Sequence, residues 1–156
     1  MKKFIVILIT LVMAIGLCSC GYKSDTYKYL SYTVPPKYEK CEVSPYPLYS
    51  REEYGICIYI EQSESDDVTV EDMLAEHMES NEYSEITPVD DVNIDGITAK
   101  QYYRLHTGSN SVTLNVAFIY GDDLVTLTMW SLHDEICDDA LNHFSEFVDS
   151  VKIDKK

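Results

Sequence analysis

The run VTLNVAFIY, residues 112–120, followed by GDD and then LVTLTMWSL, residues 124–132, constrains the fold more than any other feature of the chain. Val112, Leu114, Val116, Phe118 and Tyr120 alternate with Thr113, Asn115, Ala117 and Ile119. Val125, Leu127 and Met129 share one face of the second segment. A period of two is strand geometry; on a helix the same side chains would scatter around the circumference. The short link through Gly121 suits an antiparallel hairpin. One face of this pair is clearly buried and the other is only partly polar, so the hairpin belongs inside a sheet.

Further strands extend that sheet. GICIYIE, residues 55–61, is rich in β-branched and aromatic residues, and residues 97–106 lead through TGSN into the hairpin. LSYTV, residues 30–34, reads as a short strand stopped by Pro35 and Pro36. Residues 85–93 form a weaker strand, and Pro45 and Pro47 break residues 41–53 into short extended pieces. Two helices are expected. Thr69 opens the first, with Asp72 three residues on in the manner of a capping box. Val70, Met73, Leu74, His77 and Met78 make its apolar stripe, with His77 read as a packed side chain, and the helix fades near Ser80 and Asn81. The second runs over about 134–150 and presents Ile136, Ala140, Phe144, Phe147, Val148 and Val151 on one face. Such stripes need a surface to cover. The fold class is therefore α+β, an antiparallel β-sheet with packed helices.

The N-terminus carries an address. Lys2 and Lys3 precede an apolar run over residues 4–17, interrupted only by Thr10. A bilayer-spanning helix needs roughly 20 apolar residues, so the run reads as a secretory signal. Its end, Leu17-Cys18-Ser19-Cys20-Gly21, resembles the bacterial lipoprotein signal, with Leu17 three residues before Cys20 and small Ser19 just before it. Cys18 fits badly, because Leu17 would then fill the small-residue position; an ordinary cleaved signal or an uncleaved anchor is the alternative. The expected organisation is a signal over 1–19, a lipidated Cys20 with a polar tether through residue 28, and one domain over 29–156. Acyl chains contribute ~0.8 kcal/mol per buried methylene, and two or more hold stably. The expected location is the extracytoplasmic face of the membrane.

Charge excludes one class of partner. The chain has 12 Lys and Arg against 27 Asp and Glu; losing residues 1–19 removes two lysines and no acid, leaving 10 against 27, or −17. Nucleic acid and anionic headgroups would repel it. Solubility accounts for that charge without a cation site. Cys41, Cys57 and Cys137 remain after Cys20; three thiols allow at most one internal bridge, none sits at metal-ligand spacing, and their pairing is open.

The order YLSYTVPPKYE, GICIYIEQ, TVEDMLAEHM, VNIDGITAKQYYR, the paired strands and the closing FSEFVDSVKI resembles the PsbP-like family. That family includes the extrinsic photosystem II protein, DcrB-type bacterial lipoproteins and a Ran-binding nuclear import factor. The resemblance spans nearly the whole mature chain and implies an α/β/α sandwich around an antiparallel sheet. Its motifs are loose and none is catalytic, so it implies no activity.

Four groups of residues invite a functional reading. DVNIDG, residues 91–96, matches the opening of an EF-hand calcium loop, but the twelfth position, which should be a bidentate carboxylate, is Tyr102. A β-turn at Asp95-Gly96 is the expectation. Asp139, His143 and Glu146 can share a helix face and are weak metal-ligand candidates, although a fourth ligand would have to come from elsewhere. His106 and the triplet His133-Asp134-Glu135 are the remaining acid–base candidates, with His133 expected in a loop or cap before the final helix. No nucleophile motif, zinc-protease helix or phosphate loop accompanies them. Nine of thirteen tyrosines lie between Tyr22 and Tyr59, and Tyr46, Tyr49 and Tyr59 are the candidate binding surface. The expected function is a membrane-anchored binding or assembly module for a protein, peptide or glycan, without cofactor or enzymatic activity. A small extracytoplasmic hydrolase or metal-dependent enzyme is the alternative.

Overall fold

The computed structural model describes residues 21–62, 69–72, 75, 83–106 and 108–154. The signal segment, Cys20, and the first-helix residues Met73, Leu74, His77 and Met78 lie outside the described residues. The strands are β1 (Lys23–Tyr27), β2 (Leu30–Val34), β3 (Glu39–Lys40), β4 (Leu48–Arg51), β5 (Tyr54–Gln62), β6 (Tyr83–Pro88), β7 (Val92–Ile94), β8 (Ile97–His106), β9 (Val112–Tyr120), β10 (Asp123–Ser131) and β11 (Lys152–Ile153). Helix α1 spans Asp138–Ser150, between β10 and β11.

The main sheet runs β3-β4-β5-β10-β9-β8-β6, with β7 pairing the first half of β8, and every pairing is antiparallel. The hairpin read from the sequence is its centre, with Phe118 opposite Val125 and Val116 opposite Leu127. A smaller sheet, β1-β2-β11, lies beside it. On the inner face Ile56, Ile58, Val116, Phe118, Leu127 and Met129 are sealed by Phe144 and Phe147 of α1 and by Leu30, Tyr32 and Val34 of β2. On the outer face Val70 packs on Tyr102 and Ala117, with Ile86, Ile119 and Leu124 around them. Thr69 caps the helical residues 70–72 as read: Asp72 N–H donates to Thr69 Oγ1 at 3.1 Å, and Thr69 N–H to Asp72 Oδ2 at 2.9 Å. The architecture is α+β with the sheet dominant.

Several boundaries differ from expectation, each for a physical reason. The tether expected over 20–28 is interrupted, because residues 23–27 form β1 and pair with β2 from Lys23 opposite Val34 to Tyr27 opposite Leu30. KSDTY has no apolar alternation; the backbone ladder and Asp25 hold it. Helix α1 begins at Asp138 rather than near 134. Ser131 Oγ donates to the Glu135 carbonyl and accepts from His133 N–H, which folds residues 131–135 into a bend and hands the N-cap to Cys137. The strand expected over 85–93 is two strands, β6 and β7. The three domain cysteines are free.

The Asp91–Gly96 motif is a hairpin turn. Asp95 and Gly96 both have positive φ, 49° and 95°, as a type I′ turn requires. Asn93 Oδ1 accepts from Gly96 N–H at 2.9 Å, and Asp95 Oδ2 accepts from Ile153 N–H at 3.1 Å. These carboxamide and carboxylate oxygens are spent on the turn and on β11.

Candidate functional site

The outer face of the central strands is where polar side chains gather. Because strands alternate, the residues that leave the inner core point here: Tyr59 and Glu61 from β5, Tyr102, Arg104 and His106 from β8, Thr113 and Asn115 from β9, Thr126 and Thr128 from β10. Together with Leu124 they line a cavity of about 340 Å³. That volume is at the low end of small-ligand sites, enough for one or two side chains of a partner.

Its floor is a fixed polar network. Asn115 is buried, accepts from Thr128 Oγ1 at 2.9 Å and donates through Nδ2 to Thr113 Oγ1 at 2.9 Å. Buried polar groups are costly unless paired, so this network rigidifies the floor. Arg104 lies over the Tyr102 ring at 5.6 Å. Tyr59, 36% exposed, forms the rim and meets the Tyr46 ring at 5.1 Å between centroids, tilted by 59°. Burial of its hydroxyl, then its bond with Cys57, pushes the Tyr59 pKa up, so this rim stays neutral.

Tyr46 and Tyr59 thus belong to one surface, but Tyr49 does not. Tyr49 is 3% exposed and faces the inner core. Its hydroxyl donates to Asp25 Oδ2 at 2.6 Å, and Tyr32 in turn donates to the Tyr49 oxygen at 2.9 Å. Partial burial opposes ionisation of Asp25, yet bonds from Lys40, Tyr49 and Thr26 outweigh it and hold the carboxyl below its usual value. This chain locks β1 to the main sheet. It is structural, and alternation explains the correction: Tyr49 is one residue out of phase with Leu48 and Ser50.

The proposed metal trio is not a ligand set. Arg51 Nη1 donates to Asp139 Oδ2 at 2.7 Å and to His143 Nδ1 at 3.1 Å, so the guanidinium occupies the place a cation would take. The Arg51 guanidinium also holds the Asp139 carboxyl below the usual range. Glu146 is spent elsewhere, accepting from the Tyr22 hydroxyl at 2.7 Å. No group of three metal-binding side chains occurs among the described residues. His133 pairs through Nε2 with Glu53, which raises its pKa, and it ties the 131–135 bend to the turn before β5. His106 lies on the groove wall.

Sequence reasoning grouped Tyr46, Tyr49 and Tyr59, of which the structure brings Tyr46 and Tyr59 together, and it did not name the groove floor. Asn115 and Thr128 looked like the solvent face of alternating strands; their available signal was that Ala117 and Ile119 on the same face are apolar.

No protein-family model and no curated protein sequence matches the chain. Among solved structures it is similar to cyanobacterial PsbP (CyanoP) from Synechocystis sp. PCC 6803, with a TM-score of 0.53 at 13% identity, covering 85% of this chain and 91% of that one. It is also similar to a protein from Bacteroides thetaiotaomicron, with a TM-score of 0.56 at 10% identity, covering 88% of this chain and 49% of that one, about half its length. These likenesses establish a PsbP-like fold. No helix among the described residues is long and apolar enough to cross a membrane.

Proposed function

We propose that the protein is a lipid-anchored extracytoplasmic lipoprotein whose PsbP-like domain, completed as an α/β/α sandwich, is a non-catalytic module that binds an extended peptide segment of a partner protein. The observation that carries this reading is the outer-face groove, with exposed Tyr59 at its rim, half-buried Tyr46 packed against that ring, and a rigid hydrogen-bonded floor. Two rings tilted by 59° are not the flat platform a sugar face stacks on. A carboxylate from β5 on one side of the groove, Glu61, and a guanidinium from β8 on the other, Arg104, suit a chain carrying both charge signs.

The anchor supports the same orientation. β1 begins at Lys23, so an acylated Cys20 would hold the domain within about 10 Å of the lipid. Tyr22 is bonded to Glu146 on α1, and α1 lies on the inner face. The groove, on the opposite face, is then turned away from that attachment.

The test is equilibrium binding of the purified domain to a panel of extended peptides carrying both charge signs. Removing a rim tyrosine from a binding hot spot costs about 2 kcal/mol, or roughly 30-fold in Kd. Tyr59→Ala and Tyr46→Ala should therefore weaken binding by that order, with Tyr49→Phe leaving it unchanged. Binding indifferent to Tyr46 and Tyr59, or no binding across the panel, would refute the groove.

A further inference from the structure

The geometry points to the cavity between α1 and strands β7–β9 as a site for a small primary amine with a compact apolar body. This cavity, of about 310 Å³, lies on the inner face and shares no residue with the outer-face groove. Strand register builds its floor. Tyr103 stands opposite Leu114 and Gln101 opposite Val116, two neighbouring pairs on the face that alternation turns away from Tyr102 and Asn115. Val92 of β7 closes one side. Leu141, Ser145 and Asp149, each one turn from the next along α1, edge the other, with Phe144 and Val148 beside them. From Leu141 to Asp149 the helix rises about 12 Å.

The two ends of the cavity differ. The chain leaves α1 at Ser150 and reaches β11, where Ile153 N–H donates to Asp95 Oδ2 at 3.1 Å in the turn between β7 and β8. Asp149 therefore lies toward that turn, at the Gln101 end, and Leu141 toward Tyr103. Three observations make the Asp149 end a place for positive charge. Asp149 is an acid in the last turn of a helix, where the partial negative charge of the carbonyls gathers, and no basic side chain stands in that turn to offset it. Among the described residues neither the Asp149 carboxylate nor the Gln101 amide makes a side-chain hydrogen bond or ion pair. The nearby lysines are directed elsewhere: Lys152 to Asp95 at 3.9 Å, and Lys100, on the opposite face of β8, to Asp91 at 2.9 Å and Glu71 at 3.2 Å.

The remainder of the lining sets the body of the ligand. Leu114, Val116, Phe144 and Val148 are buried and apolar, and the Tyr103 ring lies beside them. A volume at the low end of small-ligand sites limits that body to about one six-membered ring. The ammonium donates to the Asp149 carboxylate and to the Gln101 side-chain oxygen, and the ring lies along Leu141 toward the Tyr103–Leu114 pair. Cation and hydrocarbon are thus separated as the two ends of the cavity are.

Phenethylamine is titrated into the isotope-labelled domain and followed by backbone and methyl chemical shifts, in parallel with its neutral isostere phenethyl alcohol. Shifts should centre on Val92, Leu114 and Leu141, with a Kd on the order of 1 mM for a ligand of this size. The amine should bind about fivefold more tightly than the alcohol, the order that an exposed ion pair and a helix end supply together. Asp149→Asn should bring the amine to the affinity of the alcohol and leave the alcohol unchanged. Ser145→Trp, at an exposed position on the edge, should block both, while circular dichroism confirms the fold of each variant. Nα-acetyl-lysine methylamide should bind more weakly than phenethylamine; equal or tighter binding would assign the cavity to a partner's lysine and overturn the small-amine reading. Equal affinity for amine and alcohol, no effect of Asp149→Asn, or no saturable shifts at these residues would overturn the proposal as well.

Discussion

Replacing Tyr49 by Phe removes one oxygen atom and tests how β1 is held. In the native fold that oxygen donates to the Asp25 carboxylate and accepts from buried Tyr32. A hydrogen bond to a charged group is worth about 1.5–3 kcal/mol, and a buried hydroxyl left unpaired costs about 1–3 kcal/mol. Asp25 is partly exposed and keeps Lys40 and Thr26, so solvent and these partners recover a share. A net loss of about 2 kcal/mol follows. In a domain of this size each kcal/mol moves Tm by roughly 3–5 °C, giving a drop of about 6–10 °C at pH 7. The Asp25 pKa is depressed in the fold, so its contribution is present above the unfolded value and lost as pH falls through the folded one. The gap between wild type and Tyr49→Phe should therefore narrow as melts followed by circular dichroism are taken from pH 7 down to pH 3. A gap that is absent at pH 7, or the same at both pH values, would show that the carboxylate is not the acceptor.

Other perturbations read separate parts of the fold. A Cβ on Gly55 would collide with the indole of Trp130, its cross-strand partner, so Gly55→Ala should cost about 1–3 kcal/mol and red-shift the fluorescence of this sole tryptophan; an unchanged spectrum and melt would contradict the packing. His133 has a raised pKa, so its pairing with Glu53 is fully present below the unfolded value and lost as pH rises through the folded one. An NMR titration should place its midpoint above that of a free histidine, and Glu53→Gln should lower it. Cys20→Ala should move the full-length protein from the membrane fraction to the soluble fraction, and full retention in the membrane would contradict lipid anchoring.

What could be read from the chain, and what could not, follows from where the information resides. The β9–β10 hairpin was legible because apolar alternation is a one-dimensional record of burial. The same logic failed for β1, whose ladder is made by backbone groups that every sequence carries, and for the start of α1, which is set by the hydroxyl of Ser131. Tyr49 was misplaced because tyrosine enrichment does not report phase; the register against Ile56 does. The groove floor needed strands β8, β9 and β10 side by side before Tyr102, Asn115 and Thr128 could meet. The metal trio shared a helix face as expected, but Arg51 arrives from β4, 88 residues earlier than Asp139.

The most direct test of the binding account is a map of backbone amide chemical shifts on adding the tightest peptide of the panel to the isotope-labelled domain. The account predicts perturbations centred on Tyr59, Tyr102, Asn115 and Thr128, with α1 and β1 unaffected. Perturbations centred on α1 or on β1 would contradict it.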